Sequence, residues 1–339
     1  MLNALGRKIP GLRTILRTTV PASFFQDRLI IPWELSPVQQ DIGCIQQGPL
    51  TIDVDATWKE YARFHATWGN RIQAEVEAMR QARPNLILAD TPYLAIAAGA
   101  QAGIPTVGLA NFTWDLVLSG LPAPPDIDGQ PLVRAIREAY ARADLALRIT
   151  PSPHLDIFDP LVDIGPICEP ASSARESLLA RLRLSPGERA VLIGFGGVPL
   201  VSLPIAELET LTGYRFLFDG PVPPNSTRFV STHSLPFSFK TLLASVDIIM
   251  SKPGYGTLVE TVALNTPLVY VRRYNFADEQ PLVDYVHRYG RGVELAGADF
   301  AAGRWEPALR AVGGLPAPST PPPSASGAED AADLLARYL

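Results

Sequence analysis

Cysteine and histidine are scarce in this chain of 339 residues, which contains two cysteines and four histidines. Cys44 and Cys168 lie far apart, and the sequence has neither a CxxC pair nor a cysteine–histidine cluster. A disulfide framework and a zinc site are therefore not indicated, and we expect no metal. A reducing cytoplasm is the expected compartment, because thiols that form no disulfide are typical of it.

Lysine is rare as well, since only four of the 29 basic residues are lysine. The formal net charge is −5, so the chain lacks the basic surplus that nucleic-acid-binding domains carry. No apolar run reaches the roughly 18 residues that a membrane-spanning helix needs. We therefore expect neither a nucleic-acid partner nor a transmembrane segment.

Strand and helix patterns alternate along the chain, and the alternation is interrupted once. In the first half these patterns cover 12–20, 57–83, 85–90, 93–102, 104–110, 132–143 and 145–149. After the proline-containing segment 150–168 they restart, over 173–184, 190–195, 214–218, 228–231, 239–246, 247–250, 257–264, 267–271, 282–289 and 293–295. Such alternation predicts parallel sheets with helices on both faces.

The expected fold class is therefore α/β, with two Rossmann-like domains that face a cleft. The hydrophobic content of 47% is enough for two cores. We expect an N-terminal domain over residues 1–160 and a C-terminal domain over 161–315. Residues 316–339 read as a Pro/Ser-rich loop and a last helix.

The segment 247–264 carries most of the functional information. A short apolar strand leads into Ser251-Lys252-Pro253-Gly254-Tyr255-Gly256, where proline and glycine end it, and a helix follows from Thr257. A strand that passes through glycines into a helix leaves free backbone N–H groups at the positive end of the helix. That is a ready site for phosphate. Glu260 lies about one turn into the helix, where its carboxylate can accept hydrogen bonds from ribose hydroxyls.

Two further segments are expected at the same edge of the sheet. Asp278-Glu279-Gln280 follows the next predicted strand, and the carboxyl edge of a parallel sheet is where open α/β folds bind ligands. Gly196-Gly197 ends an earlier strand and permits a ligand to approach the backbone closely. The alternatives are solvated loop charges for Asp278 and Glu279, a tight βα turn for the glycine pair, and simple solvent exposure for Lys252.

The ordered set of these features resembles the donor half of GT-B glycosyltransferases, including the transferase that adds GlcNAc to lipid-linked peptidoglycan precursors. Residues 2–312 also resemble the glycosyltransferase-like module of plant L-arabinokinases and its stand-alone bacterial relatives. The matching motifs are A-D-T-P at 89–92, A-G-I-P at 102–105, N-F-T-W-D at 111–115, L-I-G-F-G-G at 192–197, S-K-P-G-Y-G-T at 251–257, V-R-R-Y at 271–274 and G-R-W-E-P at 303–307.

This resemblance implies a GT-B fold and a nucleotide-sugar donor, which we expect to be UDP-linked, with no further cofactor. It also implies that residues 1–160 form the acceptor-side domain, that residues 161–315 bind the nucleotide sugar, and that the last helix returns to the N-terminal domain. The nucleotide is then expected to contact Gly196, Gly197, Ser251, Lys252, Gly254, Gly256, Thr257 and Glu260. The donor sugar is expected to contact Asp278, Glu279 and Gln280. The region that holds the nucleobase of the donor in these transferases contains His233 and Leu235. No DxD pair is present, and helix dipoles and backbone donors can stabilise the departing diphosphate without a metal.

The catalytic base cannot be assigned from the resemblance. Relatives begin with a strand and a Gly-His-Gly-type loop that this sequence does not contain, so we expect the first domain to lack its first strand, as in a truncated chain. The candidates that remain are Asp90 and Asp115, near the ends of predicted N-terminal strands. Asp90 can instead cap the helix that follows it. Asn111 and Trp114 can line the acceptor side, with burial as the alternative for Trp114.

The leading hypothesis is a glycosyltransferase that transfers a sugar from a nucleotide sugar to an unknown acceptor. Each of the four histidines, His65, His154, His233 and His287, is expected to be structural rather than catalytic. Three alternatives stay open. They are a non-catalytic nucleotide-sugar-binding module that regulates a partner such as a sugar kinase, an inactive fragment, and a GT-B-fold epimerase.

Overall fold

A computed structural model of the protein describes residues 1–196 and 203–339. The N-terminal domain contains the strands β1 (Thr14–Leu16), β2 (Trp33–Leu35), β3 (Ile87–Asp90), β4 (Thr106–Ala110), β5 (Leu145–Ile149) and β6 (Leu161–Ile164). Its helices are α1 (Leu2–Lys8), α2 (Ser23–Gln26), α3 (Val54–His65), α4 (Trp68–Ala82), α5 (Tyr93–Ala102), α6 (Trp114–Ser119) and α7 (Gly129–Tyr140). Strands β3, β4, β5 and β6 form one parallel sheet in that order.

The C-terminal domain contains the strands β7 (Arg189–Ile193), β8 (Tyr214–Phe218), β9 (Phe229–Ser231), β10 (Ile248–Ser251), β11 (Leu268–Tyr270) and β12 (Gly292–Glu294). Its helices are α8 (Arg175–Leu182), α9 (Ile205–Glu209), α10 (Phe239–Leu243), α11 (Tyr255–Ala263), α12 (Glu279–Tyr289), α13 (Gly297–Ala301) and α14 (Glu306–Gly314), and α15 (Gly327–Leu335) follows them. The six strands form one parallel sheet in the order β12-β11-β10-β7-β8-β9. Strand order reverses direction at β7 and β10, as in doubly wound folds.

The central strands of this second sheet are apolar on both faces. All residues of β10 and β11 are buried, and β7 is buried after its first residue. Helices cover the sheet on both sides, which explains why these strands read as continuous apolar runs rather than alternating ones. The sequence prediction of an α/β protein with helices on both faces of parallel sheets is confirmed.

The last helix, α15, packs against the N-terminal domain. Its residues Ala331, Ala332 and Leu335 are buried in one cluster with Ala4 and Leu5 of α1. Two basic residues of α1 form ion pairs with acidic residues of α15, Arg7 with Glu329 and Lys8 with Asp333. None of the helices that the structure describes is long and apolar enough to cross a membrane.

Three features of the N-terminal domain differ from the patterns in the sequence. Strand β6 lies inside the segment 150–168, and it extends the first sheet four residues beyond the expected domain boundary at residue 160. The helix expected over 57–83 is two helices, α3 and α4, which are separated at Ala66 and Thr67. Among the described residues, β1 and β2 form a parallel pair of their own and do not join the four-stranded sheet.

The carboxyl edges of the two sheets face each other, and this relation positions the candidate site. Asn111 follows β4 in the first domain, and its side-chain amide donates to Asp278, which follows β11 in the second domain, at 3.1 Å. Phe276 and Ala277, from the same loop of the second domain, pack against the core of the first domain. The cleft between the domains is therefore bounded by the residues that follow β3 and β4 on one side and β10 and β11 on the other.

Candidate functional site

The turn from β10 into α11 leaves a helix end open. Strand β10 ends at the buried Ser251, and Gly254 is the residue that precedes α11; its N–H donates to the Lys252 carbonyl at 2.8 Å. No described side chain caps this helix. Gly256 is exposed in the first turn, and a Cβ built there would meet no atom within 4 Å. An anion can therefore approach the first backbone N–H groups at the positive end of α11.

Lys252 lies between this helix end and the loop that follows β11. The pKa of its ammonium group is lowered to about 8, mainly by burial and also by the positive charge of Arg273. The negative charges of Asp278 and Glu279 oppose this shift. The side chain is half-buried rather than freely exposed. A phosphate oxygen at the end of α11 would be stabilised by this positive charge. Thr257, also expected to contact the nucleotide, is half-buried in the same turn.

Glu260, expected to bind ribose, is buried on α11 with an exposed fraction of 8%. Its Oε1 forms an ion pair with the Lys240 ammonium at 2.8 Å, and Lys240 also donates to the Glu169 carbonyl at 3.3 Å. Half of the Lys240 side chain is exposed, so this partner can move aside at little cost. The carboxylate is thus held in place on α11 by a cation that the sequence analysis did not identify.

Two of the three residues expected to contact the donor sugar are engaged within their own segment. Glu279 is 1% exposed, and its oxygens accept hydrogen bonds from the backbone N–H groups of Arg273 and Tyr274 and from the Arg273 guanidinium, the last at 2.7 Å. Gln280 is exposed and donates to Asp284, one helical turn further on, at 2.7 Å. Glu279 is therefore not a solvated loop charge but the residue that orders the loop after β11.

Asp278, the third of these residues, keeps one oxygen free. It is 5% exposed, its Oδ2 accepts the hydrogen bond from Asn111, and its Oδ1 has no hydrogen-bond partner among the described residues. Burial raises the pKa of this carboxyl to about 6 and the charge of Glu279 adds to the rise, although Arg273 and the Asn111 hydrogen bond oppose it. A buried carboxylate oxygen without a hydrogen bond is costly, and a sugar hydroxyl would relieve that cost.

Three other residues expected on the donor side, Gly196, His233 and Leu235, follow β7 or β9 in the chain. Gly196 follows β7 with a φ of +71°, a conformation that favours glycine, and a Cβ there would meet no atom. Gly197 lies outside the described residues. His233 is exposed and lies 2.7 Å from Asp219, and Leu235 packs against the core of the second domain.

On the acceptor side, Asp90 is the last residue of β3. Pro92 precedes α5, and no side chain caps that helix, so Asp90 does not cap α5. The Asp90 side chain is partly accessible to water, but the surrounding protein desolvates the carboxyl. This desolvation and the negative charge of Asp41 raise the pKa of Asp90 to about 6, and the positive charge of the Met1 α-amino group opposes the rise. Thr91 follows with a φ of +76°, and the Tyr140 hydroxyl donates to its carbonyl at 2.7 Å. This strained turn fixes the carboxylate at the sheet edge.

Asp115 and Trp114 are buried on α6. The Asp115 carboxylate forms an ion pair with Arg137 at 2.7 Å, so its negative charge is already neutralised. The indole N–H of Trp114 donates to Asp41 at 2.8 Å. Asp41 thus joins the acceptor edge although it belongs to no helix or strand, and no sequence pattern marked it.

The histidines are held by aromatic hydroxyls or lie at the surface. His65 contacts the Tyr93 hydroxyl at 3.0 Å, and burial lowers its pKa to about 4. His287 contacts the Tyr270 hydroxyl at 2.7 Å, and His154 is exposed. In the part of the chain that the structure describes, no three His, Cys, Asp or Glu side chains form a group that could hold a metal ion.

Solved glycosyltransferases share this architecture. CalG4, the calicheamicin glycosyltransferase, superposes with a TM-score of 0.63 at 18% identity, covering 100% of this chain and 93% of its own. UGT71G1 of Medicago truncatula, solved with UDP-glucose, gives 0.58 at 13% identity, covering 99% and 89%. MurG of Acinetobacter baumannii gives 0.51 at 13% identity, covering 99% and 95%. The chain has the GT-B fold. At these identities the likeness shows the fold alone.

Sequence comparison adds one curated relative. Over 286 residues the chain is 27% identical to the L-arabinokinase of Arabidopsis thaliana, a match that covers 82% of this chain and 27% of that protein. The chain thus spans about a quarter of the length of this relative. No protein-family model matches the chain. The resemblance to GT-B glycosyltransferases and to L-arabinokinase that the motifs predicted is confirmed.

Proposed function

We propose that the protein is a glycosyltransferase that transfers a sugar from a UDP-linked donor to the hydroxyl group of an acceptor. The main support for the proposal is that the carboxyl edges of the two sheets lie opposite each other across the cleft. The uncapped end of α11, with Lys252 beside it, lies at the carboxyl edge of the second sheet. The Asn111–Asp278 hydrogen bond brings this edge against the edge of the first sheet, where Asp90 ends β3.

The donor would lie on the second domain. The diphosphate binds the first-turn N–H groups of α11 between Gly254 and Thr257, and Lys252 adds a positive charge. Glu260 accepts from the ribose hydroxyls after Lys240 moves aside, and Gly196 lets the nucleotide approach β7. The donor sugar reaches the free oxygen of Asp278. Ordered backbone donors and a helix dipole at the diphosphate stabilise negative charge as it develops there.

The acceptor would lie on the first domain, with Asp90 as the general base. The acceptor oxygen attacks C1 of the donor sugar, and the bond between C1 and the diphosphate oxygen breaks. The electron pair of that bond leaves with the diphosphate, and the acceptor proton passes to Asp90. A carboxylate with a pKa of about 6 is ionised at neutral pH and is still basic enough to accept a proton in the transition state. The cytoplasm remains the predicted compartment.

Titration calorimetry with UDP, followed by an assay for UDP release from a panel of UDP-sugars, tests this function. Tight UDP binding together with slow donor hydrolysis in water is the expected result, because water can take the place of the acceptor hydroxyl. Absence of binding by UDP and by every other nucleotide diphosphate tried would contradict the proposal.

A second candidate is a non-catalytic module that binds a sugar nucleotide and regulates a sugar kinase. It is favoured by the likeness to about a quarter of an L-arabinokinase. It is also favoured by the ion pairs of Asp115 and Glu279, because a carboxylate held in an ion pair is a poor general base. UDP binding without UDP release from any UDP-sugar, at any pH between 6 and 9, would favour this candidate over the transferase.

A further inference from the structure

Two motifs from different domains face each other in the cleft. One is the acceptor-side turn, residues 111–114, which follows β4. The other is the donor-sugar loop, residues 271–279, which follows β11 and contains the V-R-R-Y motif. The sequence does not relate them, since nearly half of the chain separates them. The donor roles above involve only the second motif.

The two segments touch at two points. The Asn111 side-chain amide donates to Asp278 Oδ2 at 3.1 Å. The rings of Phe112 and Phe276 meet edge to face, with their centroids 5.4 Å apart. Phe276 also packs against the buried core of the first domain, so the loop of the second domain is anchored in the other one.

The donor-sugar loop behaves as one ordered unit. The Arg273 guanidinium lies over the Phe276 ring, 4.1 Å from its centroid, and the same group binds Glu279. Glu279 in turn accepts from the backbone of Arg273 and Tyr274. Because Phe276 and Asp278 belong to this braced segment, a shift of Phe276 also shifts the Asp278 carboxylate.

The acceptor-side turn is equally well fixed. Trp114 donates its indole N–H to Asp41 at 2.8 Å, and its ring meets that of Phe112 at a centroid distance of 5.0 Å. The backbone N–H of Trp114 donates to the Tyr140 hydroxyl at 3.3 Å. A rigid element of the first domain therefore supports a braced loop of the second.

We propose that Asn111 and Phe112 are positioning residues for the donor sugar. They hold the donor-sugar loop so that the free oxygen of Asp278 can accept a hydrogen bond from a sugar hydroxyl, and they do not touch the nucleotide. The first domain thereby contributes to the affinity for the sugar part of the donor but not for UDP. This inference rests on the proposed function, because it names the residues by which the same site would bind a UDP-sugar more tightly than free UDP.

The test compares two dissociation constants in each protein, one for UDP and one for a UDP-sugar. The UDP-sugar is the tightest binder to the wild type among UDP-glucose, UDP-galactose, UDP-GlcNAc and UDP-arabinose. For Asn111→Ala and for Phe112→Leu we expect the ratio of the UDP-sugar constant to the UDP constant to rise about tenfold, the size of one lost hydrogen bond to a charged group. The UDP constant itself is expected to stay within about twofold of the wild type.

Asn3→Ala is the matched control. Asn3 also forms two hydrogen bonds inside the first domain, to the backbone of Arg28 and Ile30, and neither of them reaches the donor-sugar loop. A merely structural role of Asn111 and Phe112 would weaken UDP and UDP-sugar binding together, or would be matched by Asn3→Ala, and either result overturns the inference. An unchanged ratio in both variants also overturns it and leaves the proposed function intact. Failure of UDP to bind the wild type would instead remove the proposed function, and this inference with it.

Discussion

Glu279 and Arg273 form a nearly buried ion pair at the start of α12, with exposed side-chain fractions of 1% and 5%. The pair closes the loop that joins β11 to α12, because the carboxylate also accepts from two backbone N–H groups of that loop. Ion pairs this deeply buried are costly to break, since the remaining partner keeps its charge without compensation. The loop that faces the donor sugar is thus stabilised mainly by its own electrostatics.

We expect Glu279→Ala to lower the free energy of unfolding by about 3–5 kcal/mol, the usual cost of leaving one partner of a buried pair uncompensated. Urea denaturation at pH 7.5 measures this change. Glu306→Ala is the control, because Glu306 pairs with Arg310 one helical turn away on an exposed surface, where such pairs contribute about 0.3–0.5 kcal/mol. Equal effects of the two substitutions would show that Glu279 does not order the loop.

Donor binding is expected to depend on Glu260 and on the open backbone at Gly256. Glu260→Ala removes a charged hydrogen-bond acceptor, so the affinity for UDP is expected to fall about ten- to a hundredfold. Gly256→Val is expected to do at least as much, because the added side chain projects into the space where no atom lies within 4 Å of a Cβ. Titration calorimetry with UDP measures both.

The control for these two variants is Glu176→Ala, which removes an exposed glutamate of the same domain. Its UDP affinity should equal that of the wild type. If Glu260→Ala and Gly256→Val also bind UDP as tightly as the wild type, the end of α11 is not the diphosphate site.

The glycine turn of the donor side is a local feature, and the sequence predicted its form. Proline and glycine end β10, and the apolar spacing of α11 follows at once, so no distant residue is needed to define it. The Asn111–Asp278 contact joins residues 167 positions apart and depends on how the two sheets face each other. No local pattern determines that relation. The same reason explains why the sequence did not link Lys240 with Glu260 or Asp41 with Trp114.

The start of α3 shows how a nearer competitor changes an expected boundary. Thr57 and Glu60 fit a capping box, but the Asp53 carboxylate accepts from the Ala56 N–H and begins the helix at Val54 instead. Thr57 then lies inside the helix and donates to the Asp53 carbonyl. Two cap residues within four positions are equivalent by pattern, and the choice between them depends on tertiary packing.

Stability is expected to depend on pH through Asp278. Its folded-state pKa of about 6 lies above the unfolded value, so folding favours the protonated form. Its ionisation therefore costs stability as the pH rises through about 6, and the cost is absent below about pH 4. Asp278→Asn removes the charge, so we expect it to raise the free energy of unfolding at pH 7.5 by about 1–3 kcal/mol.

Urea denaturation of the wild type and Asp278→Asn at pH 4 and pH 7.5 measures this effect. The difference between the two proteins should be small at pH 4 and should grow between pH 4 and pH 7.5. A constant difference at both values would show that ionisation of Asp278 does not contribute, and that the substitution acts only through its hydrogen bond to Asn111.

The last prediction concerns Asp90 as the base. Asp90→Asn keeps the size of the side chain but cannot accept the acceptor proton, so kcat for transfer, or for donor hydrolysis in water, is expected to fall about 10²- to 10⁴-fold. The affinity for UDP should not change, because Asp90 lies on the other side of the cleft. In the wild type, kcat/KM should decline below about pH 6, as the carboxyl becomes protonated. Asp126→Asn, an exposed aspartate of the same domain, is the control and should retain full activity. Retention of activity by Asp90→Asn, or a pH profile that is flat between 5 and 8, would exclude Asp90 as the base and require another group in the cleft.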